Sequence, residues 1–266
     1  MPELDVTNRF VLDYAFRHGG RVLDYGCGAG RLVAAGRARN LDIFGTDVFY
    51  GGSTTLHDAA PLVAAGHVRE MLPPEHRIPF PDATFDLVVN NQVMEHVEDL
   101  DAVLAEIHRV LKPGGAALSV FPSIDVWREG HIGIPFSHWF PKGSRLRLWF
   151  TWALRDAGLG TWKDQAPTPR QWAIDKLAWI DLWTRYRTRA EIFAAYDRHF
   201  HPNRLREEEY IIYRLLDHPT PSRRALARAM QTPLVAAPAK ALFRKLAFLV
   251  IESRKINSET GSNGRP

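Results

Sequence analysis

Three glycines at alternate positions form the segment of this 266-residue chain best suited to holding a small ligand. Gly26, Gly28 and Gly30 lie in VLDYGCGAGR, between an apolar run typical of a buried strand and a helical pattern. Without side chains, the backbone can turn tightly there, and its N–H groups can face a ligand at the start of the next helix. The spacing G-x-G-x-G differs from the dinucleotide fingerprint, and no Gly-Lys-Ser/Thr follows, which excludes a Walker phosphate loop.

Two acids accompany this loop. Asp24 stands two residues before the first glycine, and Asp47 ends the next predicted strand in GTD, 17 residues after Gly30. An acid at the end of that strand can accept hydrogen bonds from both hydroxyls of a ribose. The loop and the two acids together therefore predict a site for a ligand that contains a ribose.

Strands alternate with helices through the first 122 residues, which predicts a doubly wound parallel sheet. The predicted strands are 21–26, 41–49, 67–72, 85–93 and 116–122, and the predicted helices are 5–17, 28–40, 53–66 and 99–111. The turn residues Lys112-Pro113-Gly114-Gly115 are expected to stop the last of these helices. Further along, residues 207–216 fit a helix or a strand, and residues 246–255 predict a final strand.

Four motifs in this part of the chain carry a family resemblance: VLDYGCGAGR, GTD, IPFPDATFDLVVNNQVMEHV and HRVLKPGGAALSVFP. In order and spacing they resemble the class I S-adenosylmethionine-dependent methyltransferases, and most closely the type-11 methyltransferase domain family, over about residues 18–122. The resemblance implies a Rossmann-like α/β fold with a doubly wound seven-stranded sheet whose last strand, 246–255, is antiparallel. It also implies S-adenosyl-L-methionine as the cofactor.

The same resemblance implies roles for individual residues. The glycine loop would wrap the methionine part of the cofactor, Asp24 would orient it and Asp47 would hold the ribose. Glu75 is the nearest acid to the position that binds the adenine amine, but Pro73-Pro74 leaves its register open. The cofactor-binding residues so implied are Asp24, Gly26, Gly28, Gly30, Asp47, Glu75, Asn91 and Gln92.

Composition limits the class of protein. Hydrophobic residues make up 45% and charged residues 24% of the chain, which excludes a disordered, collagenous or coiled-coil protein. The single cysteine excludes an internal disulfide framework and a multi-cysteine metal site. We expect a cytoplasmic protein, because no secretory signal or run of ~18 apolar residues is present.

Charge and tryptophan are distributed unevenly. Residues 1–141 carry 11 Lys/Arg against 18 Asp/Glu, whereas residues 142–266 carry 23 against 12. The acidic first half suits a cationic ligand such as a sulfonium, and the basic second half suits an anionic partner. All eight tryptophans fall between positions 127 and 183. We expect most of them to belong to a core, because large aromatic side chains bury much apolar area.

Four segments follow from these patterns. We predict a cofactor-binding core over 1–122, a mainly helical Trp-rich substrate or lid insertion over 123–190, a C-terminal completion of the sheet over 191–256, and a disordered tail over 257–266. The insertion follows the strand end where α/β sheets bind their ligands. The Trp- and Arg-rich stretch within it suggests peripheral contact with the inner membrane surface. Since no nucleic-acid-binding module is visible, we expect no nucleic-acid partner.

Histidines supply the candidate bases. Methyl transfer to a hydroxyl needs alignment, exclusion of water and a base near neutral pH, for which histidine is the usual side chain. His131 and His138 in the insertion are the first candidates, and His96 in the Glu95-His96 pair is another. The two insertion histidines with Asp125 or Glu129 could also bind a divalent cation, but their spacing matches no known pattern, so no metal site is predicted.

The function predicted from sequence is S-adenosylmethionine-dependent O-methylation of a small-molecule, glycan or lipid-linked acceptor. N- or C-methylation on the same scaffold and a non-catalytic cofactor-binding module remain alternatives. An enzyme predicts an open cavity that runs from Gln92 toward His131 and His138, whereas a binding module predicts a filled site.

Overall fold

The computed structural model describes residues 4–50, 55–72, 77–232 and 248–256. Its strands are β1 (Val22–Tyr25), β2 (Ile43–Asp47), β3 (Val68–Glu70), β4 (Phe85–Asn91), β5 (Leu111–Phe121), β6 (Arg128–Glu129), β7 (Ile134–Pro135), β8 (Asn203–Leu205) and β9 (Leu249–Arg254). Its α-helices are α1 (Val6–His18), α2 (Arg31–Arg37), α3 (Thr55–Ala64), α4 (Leu100–Val110), α5 (Arg145–Asp156), α6 (Pro169–Trp183), α7 (Arg189–His199), α8 (Glu207–Asp217) and α9 (Pro221–Met230).

Seven strands form one sheet in the order β3-β2-β1-β4-β5-β9-β8, while β6 and β7 pair separately as a short hairpin. The neighbours among β1 to β5 are parallel, and β9 is antiparallel to both β5 and β8. This confirms the predicted Rossmann-like sheet and the predicted antiparallel last strand. The strand β8 was not predicted, because three residues are too few to show a period-two pattern.

Both faces of the sheet are buried, as the apolar runs of the parallel strands predict. Successive residues of a strand point to opposite faces, so Val22 and Val89 join a core with α1 and α2, whereas Leu23 and Val88 join a core with α4 and α7. The central strands are therefore fixed from both sides, and the loops at their carboxyl ends are held in place.

Two local predictions need correction, and the structure decides one alternative. The segment Lys112–Gly115 lies within β5 instead of forming a turn, because the backbone of Gly114 and Gly115 hydrogen-bonds to that of Lys255. The helix predicted over 28–40 spans only Arg31–Arg37, since Gly30 is its left-handed N-cap. Residues 207–216 form the helix α8. The predicted tail, 257–266, lies outside the described residues.

Residues 123–190 contain a third core. Ile132, Ile134, Leu177 and Ile180 pack around Trp172, which is fully buried between α5 and α6. The expectation of a mostly buried tryptophan set is wrong, because seven of the eight are exposed: Trp127, Trp139, Trp149, Trp152, Trp162, Trp179 and Trp183. Among the described residues, no helix is both long and apolar enough to cross a membrane.

Candidate functional site

The order of the sheet reverses at β1, whose neighbours are β2 on one side and β4 on the other. Such a reversal opens a crevice at the carboxyl ends of the strands, where open α/β sheets bind ligands. Gly26 follows β1, Asp47 ends β2 and Gln92 follows β4, and all three line one cavity of about 150 Å³. The structure therefore brings together predicted residues from three separate motifs.

The glycines of the loop have different surroundings. Gly26 has φ +75°, and a Cβ there would lie 2.4 Å from Cγ2 of Val93, so the close approach of the segment after β4 requires glycine. Gly28 has φ +50°, and a Cβ there would meet nothing within 4 Å. The space beside Gly28 is therefore open to a ligand.

The carboxylate of Asp47 is held by two backbone groups. The N–H of Gly28 donates to Oδ2 at 2.8 Å, and the N–H of Phe49 donates to Oδ1 at 3.0 Å. Each oxygen keeps a further acceptor position, because a carboxylate accepts about four hydrogen bonds. The carboxylate is thus fixed at the end of β2 and can accept further hydrogen bonds from hydroxyl groups.

The remaining predicted cofactor residues lie at the same edge or beyond the described chain. Asp24 is buried, and its burial together with the negative charge of Asp47 raises its pKa to about 8. The side-chain amide of Asn91 donates to Asn8 Oδ1 at 3.1 Å. Glu75 lies outside the described residues, so its predicted role remains a prediction.

A larger cavity of about 510 Å³ adjoins the first. Both cavities are lined by Tyr25, Val48, Tyr50, His96 and Val97. The far wall of the larger one comes from the end of the insertion and includes Leu182, Trp183 and Arg185.

One ring contact joins the two walls: the ring of Trp183 contacts that of Tyr50, with 5.2 Å between their centroids. The space at the glycine loop thus adjoins a space walled by the predicted substrate segment.

Two of the three candidate histidines meet beside these cavities. His96 donates from Nδ1 to the carbonyl of Trp183 at 2.7 Å, and His131 donates from Nδ1 to Oε1 of Glu129 at 2.6 Å. The two Nε2 atoms face each other at 3.3 Å. His96 lines both cavities, and His131 contacts it from the side of the insertion.

Glu129 anchors this pair. Its side chain is fully buried, and it accepts hydrogen bonds from the Tyr186 hydroxyl at 2.6 Å and from the Ile132 N–H at 2.7 Å. Burial favours the neutral carboxyl, but the hydrogen bonds and the positive charge of His131 outweigh it and lower the pKa of Glu129. Burial likewise lowers the pKa of His131, but the bond and charge of Glu129 outweigh it and raise that pKa.

Glu95, in the segment that follows β4, lies beside the two histidines. Its side chain is 2% exposed, and neither carboxylate oxygen has a hydrogen-bond partner among the described residues. One of its oxygens and one ring nitrogen each of His96 and His131 lie within 4.8 Å of one another. Burial raises the pKa of Glu95 to about 8.

His138 is separated from Glu129 and His131 by the ring of Tyr186. It is buried, and its ring packs on that of Tyr186 with 4.9 Å between the centroids. Burial lowers its pKa. The cavities therefore reach from Gln92 to His96, whereas neither His131 nor His138 is among the residues that line them.

Sequence reasoning missed part of this cluster. Glu95 was noted only as the neighbour of His96, and Tyr186 was not considered. The Glu95-His96 pair directly after a strand was an available signal. Tyr186 carried none, because 55 residues separate it from His131 and only packing brings them together.

Comparison with known proteins agrees with this arrangement. A family model described as a methyltransferase domain matches residues 23–119. A demethylmenaquinone methyltransferase of Symbiobacterium thermophilum is 36% identical over 49% of this chain and 53% of its own length. A malonyl-[acyl-carrier protein] O-methyltransferase of Serratia marcescens is 32% identical over 43% of each chain.

A solved S-adenosylmethionine-dependent methyltransferase of Mesorhizobium loti superposes with a TM-score of 0.47 and 18% identity, over 89% of this chain and 91% of that one. The chain spans about half the length of the curated relatives it matches. The matched region contains the glycine loop, Asp24, Asp47, Asn91, Gln92 and His96. Residues 23–119 are therefore similar to a methyltransferase domain, in agreement with the sequence motifs and the order of the sheet.

Proposed function

We propose that the chain transfers a methyl group from S-adenosyl-L-methionine to an oxygen atom of a small or lipid-linked acceptor. One observation carries the proposal: the cavity at the glycine loop and Asp47 adjoins a larger cavity walled by the insertion, and His96 lines both. A binding module without turnover has no need for a second, open space beside the cofactor.

The residues present fit this cofactor. Gly28 leaves open space beside the loop, and Asp47 is held ready to accept hydrogen bonds from hydroxyl groups. Asp24 is a buried acid that a cationic ligand would ionise. When bound, the cofactor supplies an activated methyl group on a sulfonium.

The chain contributes alignment, exclusion of water and a proton acceptor. His96 lines the cavity, and its Nδ1–H is fixed on the Trp183 carbonyl, so Nε2, which faces His131 Nε2 at 3.3 Å, is the atom that would accept a proton from an acceptor hydroxyl. His131 supports it from behind. His138, the third predicted base, packs on Tyr186 away from the cavities, so we propose for it a supporting position behind His131.

The walls of the larger cavity favour an amphipathic acceptor. Leu182 is 62% exposed, Trp183 is partly exposed and Arg185 lies beside them. An acceptor that enters there meets apolar surface, the positive charge of Arg185 and, on the opposite side, the carboxylates of Glu98, Asp99 and Glu106. The names of the relatives also support such acceptors, since they include a menaquinone precursor and an acyl-carrier-protein conjugate.

The exposed tryptophans extend this inference to the source of the acceptor. The insertion, 123–190, carries 11 Lys/Arg against 6 Asp/Glu together with all eight tryptophans. Indole rings favour the interfacial region of a bilayer, and basic side chains favour anionic headgroups. We therefore propose that the insertion docks on an anionic lipid surface and takes its acceptor from there.

C-methylation is the second candidate, because one relative is named a C-methyltransferase of ubiquinone and menaquinone biosynthesis. To test both, the purified protein is incubated with cofactor carrying an isotope-labelled methyl group and with either a soluble metabolite fraction or lipid vesicles. We expect label in the vesicle fraction, with the methyl carbon resonance of an ether or ester. A methyl resonance on carbon would replace the O-methylation proposal.

The control is the variant His96→Gln, which should bind the cofactor as tightly as the parent but turn over at least about a hundredfold more slowly. If no fraction gains label while the cofactor binds, the non-catalytic module becomes the better explanation.

A further inference from the structure

The group formed by Glu95, His96 and His131 has more hydrogen-bonding capacity than the protein around it uses. Both Nδ1 atoms donate outward, to a carbonyl and to a carboxylate. In the neutral rings, therefore, both Nε2 atoms carry lone pairs, and these two atoms face each other. Two facing lone pairs repel unless something positive lies between them, either a proton shared by the two nitrogens or a cation.

The distance between these nitrogens distinguishes the candidates. At 3.3 Å they are too far apart for a strong hydrogen bond, whose donor–acceptor distance is about 2.7–3.2 Å. Two nitrogen ligands of a tetrahedral cation, each about 2.0–2.1 Å from the metal, lie ~3.3 Å from one another. The observed separation thus equals the edge of a tetrahedral coordination site.

Glu95 supplies the third ligand and the compensating charge. Its buried carboxylate has no hydrogen-bond partner among the described residues, and a buried polar group without a partner costs about 1–3 kcal/mol. The carboxylate and the two ring nitrogens lie within 4.8 Å of one another. A cation held by all three would satisfy each of them.

The surroundings resemble those of metal-binding histidines. A ligating histidine usually donates its other N–H to a carboxylate or a backbone carbonyl, which fixes the tautomer and orients the ring. His131 does so to Glu129, and His96 does so to the Trp183 carbonyl. Tyr186 in turn fixes Glu129.

We infer that Glu95, His96 and His131 form a binding site for one divalent cation of the zinc type. Two imidazoles and one carboxylate favour Zn²⁺, Co²⁺ or another first-row cation over Mg²⁺ or Ca²⁺, which prefer all-oxygen sites. Three protein ligands leave a fourth position open, and His96 places that position beside the cavities.

The chemical consequence rests on the proposed function. An acceptor hydroxyl that takes the open position becomes a ligand, and the cation lowers its pKa. Its proton leaves to bulk water and its oxygen receives the methyl group, while the sulfonium of the cofactor becomes a neutral thioether. His96 would then bind the cation through Nε2, so its ring would not accept the proton of the acceptor hydroxyl directly.

Cobalt is the probe for the test. Protein stripped with a chelator is titrated with Co²⁺, followed by visible d–d absorption and by equilibrium dialysis. We expect one Co²⁺ per chain in a tetrahedral environment, displaced by Zn²⁺ but not by a hundredfold excess of Mg²⁺. The absence of stoichiometric binding, or competition by Mg²⁺ at that level, would overturn the inference.

Variants locate the site. Glu95→Gln should weaken Co²⁺ binding at least about a hundredfold, and Glu129→Gln should weaken it about 10–100-fold, as loss of a group that orients a ligand does. His138→Gln, the same kind of change at a buried histidine of the same segment, should leave the affinity unchanged. Equal affinity in all three variants would mean an adventitious ion only.

Two further measurements keep the test decisive. If Glu95→Gln does not fold, the ¹⁵N ring signals of the parent report instead: Zn²⁺ should shift Nε2 of His96 and His131 and leave those of His138 in place. Cofactor affinity is measured by calorimetry with chelator present. Cofactor binding without any cation site would overturn this inference alone, whereas a cation site without cofactor binding would overturn the proposed function alone.

Discussion

Replacing Gly28 by alanine separates the cost of backbone strain from the loss of ligand space. Gly28 has φ +50°, and a Cβ there would meet no neighbour within 4 Å. Its N–H donates to Asp47, which alanine would retain. The variant should therefore fold, with a strain cost of about 1–2 kcal/mol for a non-glycine residue in the left-handed region.

Gly66 provides a matched control. It has φ +73°, and a Cβ there would likewise meet nothing within 4 Å. Gly66 lies between α3 and the start of β3, whereas the glycine loop follows the end of β1. Because these strands are parallel, the two glycines lie at opposite ends of the strands. Gly66→Ala should therefore lower the free energy of unfolding by about the same 1–2 kcal/mol as Gly28→Ala, without affecting the site.

Cofactor binding should distinguish the two variants. The new methyl group at position 28 occupies the open space beside the loop, so we expect its cofactor affinity to fall at least about tenfold, ~1.4 kcal/mol. Urea unfolding measures the stability of both variants, and calorimetry measures the affinity. If Gly28→Ala binds as tightly as Gly66→Ala, the glycine loop does not contact the ligand, and the assignment of the site is wrong.

Three further predictions follow from the same site and from the insertion. Asp47→Ala should weaken cofactor binding by ~1–3 kcal/mol in calorimetry, because it removes a hydroxyl acceptor and leaves two backbone N–H groups unpaired; unchanged affinity would exclude the ribose contact. The pKa of Asp24 is raised from 3.8 to about 8, so the folded state holds this proton more tightly than the unfolded state does. The protonated carboxyl therefore contributes fully to stability below about pH 4. Above that pH, this contribution should decline by ~1.4 kcal/mol per pH unit and be lost as the pH rises through about 8. Asp24→Asn should lack this slope in urea unfolding at pH 6 and pH 8; parallel profiles of the two proteins would refute it. Trp149→Ala and Trp162→Ala, at two exposed indoles, should each weaken binding to anionic vesicles about tenfold in a sedimentation assay, and equal binding of parent and variants would contradict lipid docking by the insertion.

Local chemistry decided which parts of the fold could be predicted. The glycine loop, Asp47 and the strand before Gln92 could be located from sequence, because a turn that needs glycine and a buried parallel strand each leave a pattern within ten residues. The antiparallel last strand followed from the family resemblance. By contrast, Lys112–Gly115 resembles a turn in isolation and is a strand only because Lys255 pairs with it.

The histidine cluster shows the opposite case. Its members come from the end of β4, the β6–β7 hairpin and the segment after α6, so their proximity depends on long-range packing. His131 and His138 are equally plausible bases by residue type, and only the structure shows that one meets His96 while the other packs behind Tyr186. The exposed tryptophans depart from expectation for a related reason: residue type predicts only average burial, and which indoles lie at the surface depends on how the helices of the insertion pack.

The hydrogen bond from the Gly28 N–H to Asp47 couples the position of the glycine loop to that of the end of β2. A ligand that touches either element meets a geometry set by both, so the free energies of substitutions at the two positions should not add. Under the proposed function, this single internal contact would join the parts of the protein that face two chemically different parts of the cofactor. A fragment that carries only one of those parts would already meet the loop and the acid in the arrangement that the whole ligand requires.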